Sequence, residues 1–277
     1  LCFYILAQAW KLNKWVSIIG AIAFAFASYN LQIIVAGHNT KMISIALMPL
    51  VVAGMNWVYQ GRFLLGAGVS LLGLSLLISN GMYQIDYYLM IILAGFGIGY
   101  FIEALQSNKL KEFFIASGIM LGVAALSIGP SIDLFLSNKE YAKYTMRGGQ
   151  SELTLDKKEV KKKGGLDKDY AFAWSQSIGE TFTILVPNLY GGGSQTNAGN
   201  GSKTYEAALG LGIGEESAEQ FASQIPSYWG AQPFLSGPNY FGIIIVLLFV
   251  VGMFIIQNKL KWMLLALSCL GIMMSWG

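Results

Sequence analysis

Long apolar runs separated by short polar gaps dominate the chain. The runs occupy 15–36, 42–58, 63–79, 85–106, 113–136 and 241–257, with shorter or partial ones at 1–10 and 262–277. A helix needs about 20 mostly apolar residues to cross a bilayer. The pattern therefore predicts six spanning helices and two end pieces. Since the chain starts without Met and is apolar at both ends, we expect an internal piece of a longer polytopic protein.

Positive charges alternate between the gaps and predict the orientation. The first, third, fifth and seventh gaps contain Lys or Arg, as in Arg62 and Lys259, whereas the second and fourth gaps carry one lysine between them, Lys41. Positive residues mark cytoplasmic loops, so the odd gaps are predicted to be cytoplasmic and the even gaps extracytoplasmic. The sixth gap, 137–240, is then an extracytoplasmic insert, because long loops translocate largely regardless of their charge.

Three domains follow from this pattern. Residues 1–136 are predicted to form transmembrane helices with a truncated first span, and 241–277 two C-terminal transmembrane helices with a truncated last one. The insert between them, 137–240, holds ten of the eighteen Lys and Arg and eleven of the fifteen Asp and Glu residues. Its formal charge of −1 excludes a basic nucleic-acid-binding patch.

The insert has recognisable segments. We expect a solvated charge run at 157–165, a flexible Gly-rich loop at 190–203 and a short helix at 215–226 that Pro226 ends. The apolar segment 171–190 contains a single acid, Glu180, and is predicted to be re-entrant or to lie at the membrane interface.

The composition agrees with a membrane protein and limits its chemistry. The chain is 55% hydrophobic and 12% charged, with a mean hydropathy of +0.53, whereas soluble domains are about 25% charged. Cys2 and Cys269 lie near opposite ends in apolar runs and are interpreted as free buried thiols. His38 is the single histidine, so no zinc-binding cluster is expected and no metal-binding residues are assigned. The absence of a G-x-S-x-G motif disfavours a Ser-His-Asp hydrolase.

Polar residues at the predicted outer ends of the spans are the candidate site. We expect one extracytoplasmic mouth formed by His38, Lys41, Tyr83, Gln84, Asp86 and Asp133, covered by Trp174, Glu180 and Trp229 of the insert. Lysine and histidine suit a phosphate, a carboxylate suits a general base, and aromatic faces suit a sugar ring or an isoprenoid. The alternative interpretation is that each residue merely lies at a wet helix end.

Several segments resemble a known family. They are GHNTK (37–41), NGMYQIDYY (80–88), YTMRGGQSELT (144–154), LDKDYAFAWSQSIGETFTILVPNLYGG (166–192) and SYWGAQPFLSGPNYFG (227–242). Together they resemble YfhO-like bacterial membrane proteins of the sort seen in Bacteroidetes, which are usually placed with the GT-C glycosyltransferases. The resemblance implies an all-α, GT-C-like polytopic transmembrane helical bundle with a mixed extracytoplasmic insert, located in the bacterial inner membrane.

The resemblance also implies an activity. GT-C enzymes transfer a sugar from a polyprenyl-phosphate carrier to an acceptor outside the membrane, here a glycan or a lipid-linked polymer. On that basis His38, Lys41 and Arg147 are candidates for the donor phosphate, Glu180 and Asp86 for acid/base or hydroxyl-binding roles, and Gln84, Trp174 and Trp229 for other substrate contacts. The sequence indicates no cofactor and leaves a divalent-metal requirement open.

Two departures from the family pattern are visible. The first outer loop, GHNTK, contains no acid, whereas GT-C enzymes typically keep a key Asp or Glu in their first outer loop; we expect that residue upstream of Leu1. Met82-Tyr83 also stands where a His-Pro-like pair is expected before Gln84. Two other functions stay open: a transporter or flippase of a lipid-linked substrate, and a non-catalytic membrane scaffold.

Overall fold

The structure, a computed structural model, describes residues 1–145 and 168–277 and is α-helical over these residues, with no β-strand among them. The chain divides into two compact units. The first comprises Leu1–Ala25 and Asn39–Ala171, and the second comprises Phe26–His38 and Phe172–Gly277. The prediction of an all-α helical protein is confirmed.

The first unit contains most of the long helices. They are α1 (Cys2–Ala9), α2 (Lys14–Ala25), α4 (Asn39–Tyr59), α5 (Phe63–Ser79), α6 (Tyr83–Gln106), α7 (Leu110–Ile128) and α8 (Ile132–Tyr141). A 3-10 turn at Gly129–Ser131 separates α7 from α8. It contains Pro130, which cannot donate to a continuing helix.

The second unit combines short helices of the insert with apolar helices. They are α3 (Ser28–Val35), α10 (Lys203–Gly210), α11 (Glu215–Gln224), α12 (Ile243–Ile255) and α13 (Leu260–Ser275), with a 3-10 helix at Gly179–Ile184. The five-residue α9 (Lys168–Phe172) crosses the boundary between the units. Helix α11 confirms the short helix predicted before Pro226.

Four helical stretches are long and apolar enough to cross a membrane: Lys14–Val35, Asn39–Tyr59, Tyr83–Gln106 and Leu110–Tyr144. The runs predicted at 63–79 and 241–257 form shorter apolar helices, Phe63–Ser79 and Ile243–Ile255. At 1.5 Å per residue, helices of 17 and 13 residues measure about 26 and 20 Å, less than the roughly 30 Å of a hydrocarbon core. Four of the six predicted full spans therefore meet the length criterion as helical stretches. The first of them is interrupted between Ala25 and Ser28, and the last by the 3-10 turn Gly129–Ser131.

The apolar run predicted at 15–36 is not one continuous helix. Helix α2 ends at Ala25, Ala27 is extended (ψ 134°), and α3 begins at Ser28. The Ser28 hydroxyl donates to the carbonyl of Tyr240 (2.7 Å) and accepts from its amide (2.8 Å). Gln32 donates to the Pro238 carbonyl at 2.6 Å. These bonds hold α3 against the end of the insert.

A seam of small residues lets α4 and α5 approach closely in the first unit. A Cβ added at Gly66 would lie 2.6 Å from the Val58 amide nitrogen, and one at Gly73 would lie 2.8 Å from Val51 Cγ2. At Gly118 and Gly122, which form a G-x-x-x-G pair on α7, an added Cβ would meet no atom of the described residues within 4 Å. The G-x-x-x-G spacing alone therefore does not say which helix face meets a partner.

The Gly-rich loop at 190–203 is tied to the end of the insert. The Ser194 amide donates to the Leu235 carbonyl (2.7 Å), and the Ser227 amide donates to the Thr196 carbonyl (2.6 Å). A further bond runs from the Leu235 amide to the Ser194 hydroxyl (2.7 Å). Backbone groups of the loop thus find partners in 225–236, and its predicted flexibility stays a prediction. The charge run expected at 157–165 lies outside the described residues.

Candidate functional site

Glu180 is a buried carboxylate in the described part of the insert, and the candidate site is built around it. Only 3% of its surface is exposed. Its Oε2 accepts from the Ser177 amide at 2.7 Å, and the Glu180 amide donates to the Ser177 hydroxyl at 3.2 Å. This reciprocal pair has the S-x-x-E spacing and the two hydrogen bonds of a capping box, with Ser177 one residue before the N-cap, Ile178. It fixes the carboxylate at the start of the 3-10 helix Gly179–Ile184.

Tyr228, from a distant part of the insert's sequence, is a second hydrogen-bond donor to the Glu180 carboxylate. Its hydroxyl donates to Glu180 Oε1 at 2.5 Å and accepts from the Gln232 amide at 3.0 Å. Burial raises the pKa of the Tyr228 hydroxyl from 10.0 to about 12, and the hydrogen bond to Glu180 acts in the same direction. Tyr228 is therefore a neutral donor at physiological pH.

A small cleft opens beside this pair. Its volume is about 10 Å³, which is room for about one water molecule. The described residues that line it are Gln176, Glu180, Thr183, Tyr190, Gly191, Gly192, Tyr228, Gln232, Leu235, Pro238 and Asn239. One carboxylate faces amide and hydroxyl groups in this set, which contains no Lys, Arg or His. With this size and lining, the cleft suits a water or a single hydroxyl group and not a phosphate.

Aromatic pairs lie next to the cleft and beyond it. Trp229 stacks on Tyr190 with ring centroids 4.4 Å apart and planes 20° from parallel, and the Trp229 amide donates to the Tyr190 carbonyl at 3.2 Å. Trp229 is nevertheless 65% exposed. Trp174 meets Phe234 edge to face at 5.4 Å. Of the two tryptophans predicted to cover the site, Trp229 contacts Tyr190, which lines the cleft.

The end of α13 fixes the segment that carries Glu180. The Gln176 amide donates to the Ser275 carbonyl at 2.7 Å, and the Trp276 indole donates to the Thr181 hydroxyl at 2.8 Å. Gln176 in turn donates from its side chain to the Glu180 carbonyl at 2.8 Å. An apolar helix therefore positions the site.

Asp86 is the second predicted carboxylate and lies in the first unit, in the first turn of α6. Both of its side-chain oxygens are buried, and neither has a hydrogen-bond partner among the described residues. Its neighbour Gln84 donates to the Tyr88 hydroxyl at 2.9 Å. Because burying an unpaired carboxylate is costly, Asp86 is a candidate functional group in its own right.

The remaining predicted residues divide between the two units. Lys41 is half-buried in α4 of the first unit, where Asp133 is exposed in α8. His38 is exposed in the second unit, and its amide donates to the Ile33 carbonyl at 2.8 Å. Arg147 lies outside the described residues. The single mouth expected from the sequence therefore stays a prediction, whereas Glu180 and Trp229 are brought close to one cleft.

Tyr228, Ser177 and Gln232 are the site residues that sequence reasoning missed. The capping-box pattern S-I-G-E at 177–180 was the available signal for Ser177. Nothing in the spacing of Tyr228, 48 residues after Glu180, indicates that the two side chains meet. Among the described residues no group of three or more His, Cys, Asp or Glu could hold a metal ion.

Comparison with known proteins gives no relative for this chain. No protein-family model, no curated protein and no solved structure matches it.

Proposed function

We propose that the chain is part of an integral membrane glycosyltransferase that takes a sugar from a polyprenyl-phosphate carrier and transfers it to an extracytoplasmic glycan or lipid-linked polymer. The observation that carries the proposal is the buried Glu180 carboxylate, held by Ser177 and Tyr228 beside a cleft. The four helices long and apolar enough to cross a membrane support a membrane setting, and a bacterial inner membrane with 137–240 outside completes the proposal.

In the proposed reaction an acceptor oxygen bonds to the anomeric carbon of the donor sugar. The bond from that carbon to the carrier phosphate oxygen breaks, and polyprenyl phosphate leaves with the bonding electrons. The acceptor hydroxyl gives its proton to a carboxylate. Glu180 binds or deprotonates this hydroxyl in the proposal, since an ionised carboxylate has about four acceptor sites and two of those on Glu180 are occupied.

We assign binding of the donor's phosphate group to His38 and Lys41, with Arg147 as a further cation. Cationic side chains do not line the described cleft, so the phosphate is assigned to residues outside it. Asp86 is the alternative acid/base candidate, because both of its oxygens lack a described partner.

The test is a transfer assay on membranes containing the protein, supplied with a panel of radiolabelled polyprenyl-phosphate monosaccharides. We expect label to pass from the lipid to a polymer fraction. His38→Ala and Lys41→Ala should weaken donor binding by about tenfold or more each, because hydrogen bonds to charged groups contribute about 1.5–3 kcal/mol. Lys203→Ala, at an exposed lysine of α10, is the matched control. Label that stays on the lipid for every donor contradicts the proposal.

A transporter or flippase of a lipid-linked substrate is the second candidate, favoured by the broken apolar run at 25–28. Discontinuous helices commonly build transporter sites, and Asn30 of α3 is 4% exposed. A transporter moves the lipid-linked sugar across the membrane intact, so chemically unchanged donor on the opposite face supports this candidate. A protein with neither activity is the non-catalytic scaffold.

A further inference from the structure

The segment 178–189 of the insert has an inverted polarity. Four of its large apolar side chains are between 40% and 66% exposed: Ile178, Phe182, Val186 and Leu189. We call these four side chains the apolar face of 178–189. The one charged residue of the segment, Glu180, and the hydroxyl residue Thr183 are instead buried. A surface that faces water usually shows the opposite arrangement, and clustered exposed apolar side chains mark an interaction site.

Local hydrogen bonds bring the side chains of this face close together. The Val186 amide donates to the Phe182 carbonyl at 2.9 Å, and the Leu189 amide donates to the Val186 carbonyl at 3.2 Å. Side chains three or four residues apart across such turns are neighbours on one face. The same bonds satisfy backbone groups within the segment, as contact with lipid requires.

Two apolar helices of the same compact unit end beside this segment. At the end of α13, the Trp276 indole donates to the Thr181 hydroxyl at 2.8 Å. Just before the start of α12, the Asn239 carbonyl accepts from the Thr183 hydroxyl at 3.3 Å. The segment therefore lies at the level where α12 begins and α13 ends.

Helices α12 and α13 indicate what surrounds that level. Neither helix has a buried residue, and α12 contains no charged residue. A helix that is apolar all round needs a protein core or lipid around it, and the described residues provide no core here. At 13 and 16 residues the helices measure about 20 and 24 Å, less than the roughly 30 Å of a hydrocarbon core. In a bilayer, an apolar segment held at their common end is therefore within reach of the acyl chains.

We infer that the apolar face of 178–189 docks on the membrane, with its four side chains in the boundary between headgroups and acyl chains on the insert's side. The occupant is the bilayer itself, because the segment is bonded to the ends of two apolar helices. The segment has no Lys or Arg, so apolar burial and not attraction to anionic headgroups drives the docking. The inference goes beyond the proposed function, since it requires a membrane but no sugar transfer.

The experiment measures the depth of nitroxide labels by electron paramagnetic resonance on the full chain in phosphatidylcholine nanodiscs. Cys2→Ser and Cys269→Ser give a background without cysteine, to which Phe182→Cys or Val186→Cys is added. We expect both labels about 5–10 Å below the lipid phosphates, where oxygen reaches them and a water-soluble nickel complex does not. Ser217→Cys, at an exposed position of α11, is the control and should be reached by the nickel complex.

Ile178→Cys and Leu189→Cys give an independent reading if either of the first two variants misfolds, which circular dichroism detects. The inference is overturned if the labels on the apolar face are as accessible to nickel as the control. It is also overturned if neither oxygen nor nickel reaches them, because a second copy or another part of the chain then covers the face. Addition of phosphatidylglycerol should leave the depth unchanged; penetration that requires this anionic lipid overturns docking by apolar burial.

Failure of the inference is distinguishable from failure of the proposed function. Sugar transfer from the lipid donor, with nickel-accessible labels on the apolar face, overturns the docking surface and leaves the glycosyltransferase. Labels at the expected depth, with no transfer from any lipid donor, leave the docking surface and remove the enzyme.

Discussion

The Tyr228 hydroxyl donates a 2.5 Å hydrogen bond to Glu180 Oε1, joining two parts of the insert that lie 48 residues apart. The same hydroxyl accepts from the Gln232 amide, so one phenol satisfies a carboxylate and a backbone donor together. A Cβ added at Gly230 would collide with both the Tyr228 hydroxyl and Glu180 Oε1. The segment 228–232 is thus shaped around this contact.

Removing the phenol should therefore destabilise the protein. Tyr228→Phe leaves Glu180 Oε1 and the Gln232 amide without their partner, and we expect a loss of about 1–3 kcal/mol in the free energy of unfolding. Denaturant unfolding in detergent measures the change. Tyr205→Phe, on a half-buried tyrosine of α10 that does not line the cleft, is the control. Equal stability of both variants argues against the Tyr228–Glu180 bond.

Alkaline pH should weaken the same contact. The pKa of Tyr228 is about 12 in the folded protein against an ordinary value of 10.0. Between these values the unfolded chain loses the proton first, so the free energy of unfolding falls as pH rises from about 10 to about 12. The contribution is complete below pH 10. Unfolding measured across this range should show a decline in wild type that Tyr228→Phe lacks; an identical decline in both proteins assigns it to other groups.

The glycine seam between α4 and α5 gives a paired prediction on one helix. Gly66→Ala should cost about 1–3 kcal/mol, because the added Cβ overlaps the Val58 backbone and overpacking is destabilising. Gly68→Ala meets no atom within 4 Å and should be neutral or stabilise by up to about 1 kcal/mol through helix propensity. Thermal unfolding of both variants tests the seam. Similar melting temperatures would show that Gly66 does not lie at a close contact.

Replacing Asp86 with an apolar residue should raise the stability of the protein and lower its activity. Asp86→Leu removes two buried oxygens without described partners, so we expect stability to rise by about 1–3 kcal/mol while transfer from the lipid donor falls. Asp133→Leu alters an exposed carboxylate of α8 and should change stability by no more than about 0.5 kcal/mol. A loss of stability in Asp86→Leu means that the carboxylate is paired in the protein.

The helical class and most helix positions could be predicted from the sequence because apolar runs of about 20 residues admit few other structures. Helix α11 could also be predicted from its local sequence, since it ends at Gln224, just before Pro226. The break between Ala25 and Ser28 was not predictable from periodicity. It coincides with the Ser28 hydroxyl bonding to Tyr240, 212 residues away.

The candidate site was predictable only in part. Glu180 stood out as the one acid in an apolar segment, and Trp229 as an aromatic residue of the insert. Tyr228 and Gln232 depend on long-range packing that residue spacing does not encode, and so does the docking of Trp276 on Thr181. Which glycines pack closely likewise depends on which faces of α4 and α5 meet, and residue spacing does not specify this.

The most direct test of the central claim is sugar transfer at the outer face of right-side-out membrane vesicles containing wild-type protein or Glu180→Gln. We predict that wild type moves radiolabel from a polyprenyl-phosphate sugar onto an outer polymer. Glu180→Gln should reduce the rate by about 100-fold or more while donor binding persists, as for loss of an acid/base group. No transfer by wild type, or equal rates for the two proteins, would contradict the proposed role of Glu180 in sugar transfer.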